Sequence, residues 1–142
     1  PSDADRQAIL TPLQAYNRET TSWPRPPQTF ALLVRDEASG DALGGLWARA
    51  AFGWLFVELL FVPESLRGQG VGSRLLAQAE DLARQNGCVG VWLDTFSFQA
   101  PDFYRKNGYE TFGVIDDYPG AEKRFFLRKR LDASPSAARE TV

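Results

Sequence analysis

The chain has 142 residues, of which 44% are hydrophobic and four are tryptophans, and this composition is typical of one globular domain rather than a disordered chain. Its formal net charge of −2 and the lack of a basic, aromatic-rich stretch give no reason to expect a nucleic-acid partner. The chain has no histidine and one cysteine, Cys88, which excludes Ser-His-Asp and Cys-His catalysis and the HExxH zinc site. Because histidine and cysteine are also the usual zinc ligands, we expect no metal.

Two further absences bear on localisation. No apolar run approaches the ~18 residues of a membrane span, and the first residues lack the charged-then-apolar pattern of a signal peptide. A single cysteine cannot form an internal disulfide, which suits a reducing compartment. We therefore expect a cytoplasmic protein with no membrane partner, in which Cys88 is a small core residue rather than a nucleophile.

Hydrophobic periodicity and turn residues divide the chain into helices and strands. The predicted elements are a helix at 2–20 with an apolar stripe of Ile9, Leu10, Leu13 and Tyr16, strands at 30–35, 42–51 and 54–62, a helix at 73–86, a strand at 89–95, a short helix at 100–107, and strands at 109–114 and 123–130. The apolar strand at 89–95 suits burial in a parallel pair, which the helix at 73–86 would connect. We therefore predict an α/β fold: a single domain at 1–131 with a mixed, mostly antiparallel sheet, flanking helices and one parallel strand pair. Residues 132–142 are predicted to be a disordered tail.

The most informative segment is the hexapeptide Arg67-Gly68-Gln69-Gly70-Val71-Gly72, which joins a predicted strand to a predicted helix. A strand, a glycine-rich turn and a helix N-terminus form an anion site, because the first N–H groups of a helix are free and its dipole favours negative charge. The segment lacks the Gly-Lys-Ser/Thr ending of a P-loop, and Ser73 stands where a dinucleotide fingerprint needs its last glycine. The hexapeptide therefore predicts a phosphate-bearing ligand of another class, and the alternative is a tight glycine turn without a ligand.

What fits is the pattern Arg-x-x-Gly-x-Gly, with Arg67, Gly70 and Gly72 as its fixed points. This pattern resembles the pyrophosphate loop of the GNAT superfamily, the small N-acetyltransferases that transfer acetyl from acetyl-coenzyme A (acetyl-CoA) to amines. A second family signature, aromatic-Tyr followed by Gly-aromatic, is matched by Phe103-Tyr104-Arg105-Lys106-Asn107-Gly108-Tyr109. The order of elements matches the family over 8–131, so the resemblance implies its fold, in which the parallel strand pair is splayed.

Two details of the resemblance concern the subgroup and the start of the chain. The stretch at 93–100 is similar to that of a bacterial subgroup of small acetyltransferases. The family usually opens with a strand before its first helix, and here only Pro1 and Ser2 precede the predicted helix. One interpretation is that this strand was lost from the front of the chain.

The resemblance also implies acetyl-CoA as a co-substrate and residues that bind it. Backbone N–H groups at the end of the splayed strand would polarise the thioester carbonyl, and Ser97, with Gln99 beside it, is the nearest match to a residue that holds the pantetheine arm. Arg74 would be a second phosphate contact or a solvated helix residue. The implied cofactor-binding residues are Leu60, Phe61, Val62, Arg67, Gly68, Gln69, Gly70, Val71, Gly72, Ser73, Ser97 and Tyr104.

Two residues are candidates for proton transfer. An alkylammonium ion with a pKa of about 10.4 loses its proton at pH 7 only at a cost of about 4–5 kcal/mol, so a proton acceptor is needed. Glu58 lies in an otherwise apolar strand, and the resemblance implies that it is the catalytic base; the alternatives are an exposed sheet position or an ion pair with Arg49. Tyr104 holds the family's position for the acid that protonates the departing thiolate, and the alternative is packing with Phe103 against the sheet.

The leading hypothesis is an N-acetyltransferase that moves acetyl to a primary amine of a small molecule by direct attack in a ternary complex. One alternative is a non-catalytic acyl-CoA-binding or sensor domain, which needs the loop at 67–72 but neither Glu58 nor Tyr104. Another is a structural α/β domain that acts as a dimer, and a homodimer is therefore an open option. The acceptor is undetermined. An aromatic acceptor pocket is suggested by Trp23, Phe30, Trp47 and Trp54, and a cationic amine is suggested by Asp94, Asp116 and Asp117.

Overall fold

The structure, a computed structural model, describes residues 1–131, and the predicted tail at 132–142 lies outside the described residues. Its elements are α1 (Asp3–Thr20), β1 (Gln28–Arg35), β2 (Ala42–Ala51), β3 (Trp54–Phe61), α2 (Val71–Gln85), β4 (Gly90–Phe96), α3 (Pro101–Lys106), β5 (Glu110–Ile115) and β6 (Arg124–Arg130). A single 3₁₀ turn, Glu64–Leu66, lies between β3 and α2. Every predicted helix and strand is present, with ends that differ by at most two residues.

The strands form one sheet in the order β1-β2-β3-β4-β6-β5. All neighbouring strands are antiparallel except β3 and β4, which are parallel and are connected by α2. This topology confirms the predicted α/β fold with one parallel strand pair.

The first helix begins at a capping box. The Ser2 hydroxyl accepts a hydrogen bond from the Asp5 N–H (3.2 Å), and the Asp5 carboxylate accepts one from the Ser2 N–H (2.8 Å). The predicted apolar stripe does not join the core, because α1 has no buried residue and Ile9 is 70% exposed. Within residues 1–131, no helix combines the length and the apolar character that crossing a membrane requires.

The core lies between α2 and one face of the sheet. The helix contributes Leu75, Leu76, Ala79 and Ala83, and the sheet contributes Leu46, Ala48, Ala50, Leu55, Val57, Val91, Leu93 and Leu127. Cys88 is buried at the end of this layer, and burial raises the pKa of its thiol. Because the thiolate is the reactive form of cysteine, this position agrees with the predicted packing role.

The feature that positions the site is the early end of the β3–β4 pairing. Four residue pairs, from Trp54–Gly90 to Val57–Leu93, join the two strands. At the same place β3 carries a β-bulge against β2: Ala48 pairs with Val57 and Trp47 pairs with Leu59, so that Glu58 is the extra residue. Since a bulge bends and twists its strand, the rest of β3 turns away from β4, which continues to pair with β6. A gap therefore opens between β3 and β4 after Val57.

A buried polar network joins α2 to the end of α3 and to β6. Glu80 is 7% exposed and Tyr109 is 3% exposed, and the Tyr109 hydroxyl donates to Glu80 Oε2 (3.0 Å). The Lys129 ammonium donates to Glu80 Oε1 (2.9 Å) and to the Asn107 carbonyl (3.0 Å). Burial, together with the Glu80 charge, raises the pKa of Tyr109, so that its phenol stays a donor. Glu80 is thus the acceptor that both donors share.

We expect Glu80→Ala to lower the free energy of unfolding by about 2–4 kcal/mol, because it leaves a buried phenol and a partly buried ammonium without their acceptor. Urea unfolding measures this loss. The control is Asp81→Ala, at the next position of the same helix, whose ion pair with Arg84 is exposed and should contribute less than about 0.5 kcal/mol. Equal losses in the two variants would contradict a stabilising role of the network.

Candidate active site

A cleft of about 930 Å³ occupies the gap between β3 and β4. It is bordered by the end of β3, the glycine-rich loop, the first turn of α2, the end of β4 and α3. Its volume lies within the ~300–1,000 Å³ of small-molecule sites. The cleft passes between two strands, so its walls include both faces of the sheet.

Most of the site residues predicted from the sequence line this cleft. They are Glu58, Leu60, Phe61, Val62, Arg67, Gly68, Gly70, Val71, Gly72, Ser73 and Tyr104. Gln69 and Ser97 were also predicted, and they do not line it. The Gln69 side-chain amide donates to the Ser65 carbonyl, and the Ser97 hydroxyl accepts from the Lys123 N–H (2.9 Å) and donates to Glu122.

The glycine-rich loop presents the free end of α2 to the cleft. Gly68 and Gly70 both have φ of 77°, a left-handed conformation that favours glycine. Gly70 is the N-cap of α2 and no side chain caps this end, so the first N–H groups of the helix stay available. This is the geometry that binds phosphate at a helix N-terminus.

Two arginines order this loop from either end. Arg67 Nε donates to the Val62 carbonyl (3.0 Å), and its guanidinium lies 5.7 Å from the centre of the Phe61 ring. Arg74 Nη1 donates to the Gln69 carbonyl (3.0 Å), and Arg74 does not line the cleft. Arg67 therefore lines the cleft itself, whereas the Arg74 guanidinium lies beside the loop, with its Nη1 3.4 Å from the position of a Cβ at Gly70.

Gly72 has a packing role that the sequence pattern did not reveal. A Cβ at this position would lie 2.9 Å from the Phe103 Cζ atom, closer than real contacts allow. The glycine therefore lets the first turn of α2 pack directly on α3. This contact brings the helix of Tyr104 next to the glycine-rich loop.

Glu58 lies in the bulge at the mouth of the gap. Its side chain is exposed and lines the cleft, and none of the ion pairs within residues 1–131 includes it. The alternative pairing with Arg49 is therefore not formed, whereas the exposed position is. An exposed carboxylate is in contact with water, which can relay a proton to it.

Tyr104 approaches the cleft from the opposite face of the sheet. Its ring packs against the core and lies edge-on to Phe103 (5.1 Å between ring centres) and to Tyr109 (6.2 Å). Burial, with a smaller contribution from the Asp94 charge, raises the pKa of Tyr104 to about 12. The phenol is therefore protonated at neutral pH and is available as a donor in the cleft.

The structure adds cleft residues that the motifs did not identify. Thr95 is buried, and its hydroxyl donates to Gln99 Oε1 (3.1 Å), which also accepts from the Phe96 N–H (2.9 Å). The added residues are Leu59, Leu66, Thr95, Phe98 and Ala100, and the cleft is also lined by Asp94, Gln99 and Phe103, which the sequence had already singled out. Most of these residues lie at or beyond the carboxyl end of β4, which the predicted parallel pairing could have indicated.

Within residues 1–131, no group of three or more His, Cys, Asp or Glu side chains is arranged to hold a metal ion.

Comparison with known proteins assigns this chain to a family. The model of the Acetyltransferase (GNAT) family matches residues 4–109. The blasticidin-S acetyltransferase of Streptomyces morookaense is 40% identical over 120 residues, which is 84% of this chain and 88% of that protein.

Solved structures agree with this match. An acetyltransferase from Bacillus cereus superposes with a TM-score of 0.83 at 35% identity, over 92% of this chain and 94% of that chain. A Bacillus anthracis acetyltransferase solved in complex with acetyl coenzyme A shares the fold, with a TM-score of 0.63 at 23% identity, over 77% of this chain and 65% of that chain. The family match, the identity and the fold agree with the resemblance of the two sequence motifs, and the chain belongs to the GNAT acetyltransferase family.

Proposed function

We propose that this acetyltransferase moves acetyl from acetyl-CoA to a primary amine of a small molecule, by direct attack in a ternary complex. The observation that carries the proposal is the cleft between β3 and β4, which has a carboxylate on one face of the sheet and a phenol on the other. In the tetrahedral intermediate, the attacking nitrogen and the leaving sulfur occupy different vertices of the same carbon, so their proton acceptor and proton donor have to lie in different places. The cleft offers that arrangement.

The donor half of the site is the glycine-rich loop with the inner edge of β3. In the proposal, the free N–H groups at the start of α2 and the Arg67 guanidinium bind the pyrophosphate of acetyl-CoA. Past Val57, the backbone groups of β3 that face β4 have lost their pairing partner. An N–H group near Leu60 is then free to donate to the thioester carbonyl, where negative charge develops during attack.

The acceptor half begins at Glu58. An ammonium acceptor has to lose one proton before its nitrogen lone pair can attack, and Glu58 receives that proton directly or through water. The nitrogen then forms a bond to the thioester carbon, the carbon–sulfur bond breaks, and the nitrogen loses its second proton to water, so that the amide and the coenzyme A thiolate result. Support for this role is the exposed carboxylate of Glu58 at the opening of the gap.

Tyr104 serves the leaving group in this proposal. The thiolate, with an ordinary pKa near 8.5, accumulates charge as the carbon–sulfur bond breaks, and a protonated phenol beside it donates a hydrogen bond and then its proton. Because the pKa of Tyr104 is raised to about 12, Tyr104 is more firmly protonated than an ordinary phenol. The main contribution of Tyr104 is therefore the hydrogen bond that its phenol donates to the negative charge developing on sulfur.

The similarity to blasticidin-S acetyltransferase supports a small-molecule acceptor. The test is the release of free thiol from acetyl-CoA by the purified protein in the presence of butylamine, phenethylamine, glucosamine or blasticidin S. We expect at least one amine to accelerate the release and to gain an acetyl group, as seen by mass spectrometry. If coenzyme A binds and no amine in a broad panel accelerates thiol release, the non-catalytic acyl-CoA-binding alternative takes the place of this proposal.

We expect Tyr104→Phe to lower turnover by about a hundredfold or more, because it removes the proton donor. The dissociation constant of coenzyme A should stay within about twofold, since the ring and its packing are kept. Tyr16→Phe, on the exposed α1, is the control and should match the wild type. Because the pKa of Tyr104 is about 12, wild type and variant should have pH–rate profiles of the same shape below pH 10. A basic limb near that pH that only the wild type shows would contradict this role.

We expect Gly70→Leu to weaken coenzyme A binding at least about tenfold in calorimetry, because a side chain at the N-cap of α2 would block its free N–H groups. Leucine with φ of 77° also strains the backbone, at a cost of about 1–2 kcal/mol. Gly40→Leu is the matched control: Gly40 has φ of 76°, has no atom near its Cβ position, and lies in the turn between β1 and β2. Equal affinities of the two variants would refute the loop assignment.

A cytoplasmic location and a homodimer also remain predictions. Cys88 is a free cysteine, and a free thiol is typical of a reducing compartment such as the cytoplasm. The exposed apolar stripe of α1, with Ile9, Leu13 and Tyr16, supports a dimer, since a second copy of the chain would cover it.

A further inference from the structure

Asp94 bears on which amines the site accepts. We infer that Asp94, held by Arg124, binds the acceptor as an ammonium ion, so that the site selects alkylammonium compounds with an apolar body over neutral analogues of the same shape. This inference rests on the proposed function and adds the chemical class of the acceptor to it.

The position of Asp94 mirrors that of Glu58. Val57 and Leu93 form the last pair of β3 with β4, and Glu58 and Asp94 are the next residues on the two strands. Burial alternates along β4, with Leu93 and Thr95 in the core and Asp94 on the opposite face. Asp94 lines the cleft, and its side chain is 16% exposed. Both carboxylates therefore stand where the gap opens, on the side away from α2.

Arg124 fixes the Asp94 side chain through one oxygen atom. Its Nε (2.9 Å) and Nη2 (2.8 Å) both contact Asp94 Oδ1, whereas its Nη1 donates to the Tyr118 hydroxyl (3.0 Å). Its guanidinium also lies 5.2–5.3 Å from the ring centres of Phe96, Tyr118 and Phe126. Arginine–carboxylate pairs frequently form two parallel hydrogen bonds, one to each carboxylate oxygen. Here neither short contact engages Oδ2, which is left for another donor.

The charge balance of this pair suits capture followed by proton loss. A carboxylate without a partner would bind an ammonium ion, but it would also make the loss of a proton from that ammonium ion less favourable. Arg124 neutralises part of the Asp94 charge, so the acceptor is attracted without being locked in its protonated form. Glu58 has no such partner among residues 1–131, so its carboxylate stays free to receive the proton.

The other acidic residues near this end of the sheet do not share these features. Asp116 forms an exposed ion pair with Lys123 (2.9 Å), and neither Asp116 nor Asp117 lines the cleft. Apolar side chains beside the two cleft carboxylates are exposed, with Phe98 59% exposed, and Leu59 and Phe61 also line the cleft. An ammonium group next to an apolar body matches this combination.

The test compares Asp94→Asn with Asp116→Asn, which changes the net charge equally outside the cleft. Calorimetry on the coenzyme A complex measures the binding of three ammonium probes and their hydroxyl analogues: butylamine and butanol, phenethylamine and phenethyl alcohol, glucosamine and glucose. We expect Asp94→Asn to weaken binding of the ammonium probes by about 10- to 100-fold, because a charge-assisted hydrogen bond is lost. Binding of the hydroxyl analogues and of coenzyme A should change by less than about twofold, and Asp116→Asn should behave as the wild type.

The outcomes separate this inference from the proposed function. If Asp94→Asn loses ammonium binding and Asp116→Asn keeps it, the inference is supported. This holds even if the wild type acetylates none of the probes and the proposed function fails. If the wild type acetylates amines and Asp94→Asn keeps their KM, the inference falls and the proposed function stands. Equal losses for ammonium and hydroxyl probes, equal losses in Asp116→Asn, or no ammonium binding to the wild-type complex also overturn it. In turnover, the expected signature is a raised KM for the amine with kcat changed much less.

Discussion

The site depends on one interruption of hydrogen bonding, the loss of pairing between β3 and β4 after Val57 and Leu93. The bulge at Glu58 turns β3 aside while β4 keeps its antiparallel partner β6, so the sheet opens without coming apart. Backbone groups in a continuous sheet are satisfied by neighbouring strands, whereas those at this opening need partners from elsewhere. The opening therefore provides both a space for a ligand and unpaired backbone groups that can form hydrogen bonds with it.

The two faces of the sheet give the opening its direction. On the covered face, Gly72 allows α2 and α3 to pack closely, and the glycine-rich loop and Tyr104 come together there. On the uncovered face stand the carboxylates of Glu58 and Asp94. Because a sheet is only one residue thick, groups that belong to different layers of the fold line the same gap, and in the proposed mechanism they act on a single thioester.

The sequence predicted the elements and the loop well, because these depend on local patterns. Apolar spacing located the helices and strands, and the left-handed glycines of the loop were marked by their residue type. The bulge at Glu58 was not predictable, since one extra residue in a continuous apolar strand leaves no local trace. Contacts between distant positions were equally hidden: Arg124 meets Asp94 across 30 residues, and Gly72 meets Phe103. The exposed stripe of α1 likewise shows that apolar spacing identifies a helix without telling what covers it.

The network of Glu80, Tyr109 and Lys129 has a consequence for how such a site can diverge. It anchors the layer that carries the glycine-rich loop and Tyr104, so substitutions there cost folding free energy. The side chains on the other face, such as Glu58, Leu59 and Phe98, are exposed and contribute little to the core. Under the proposed mechanism, substitutions on the acceptor side can therefore change acceptor preference and leave stability almost unchanged, whereas substitutions in the layer that binds the donor also cost folding free energy.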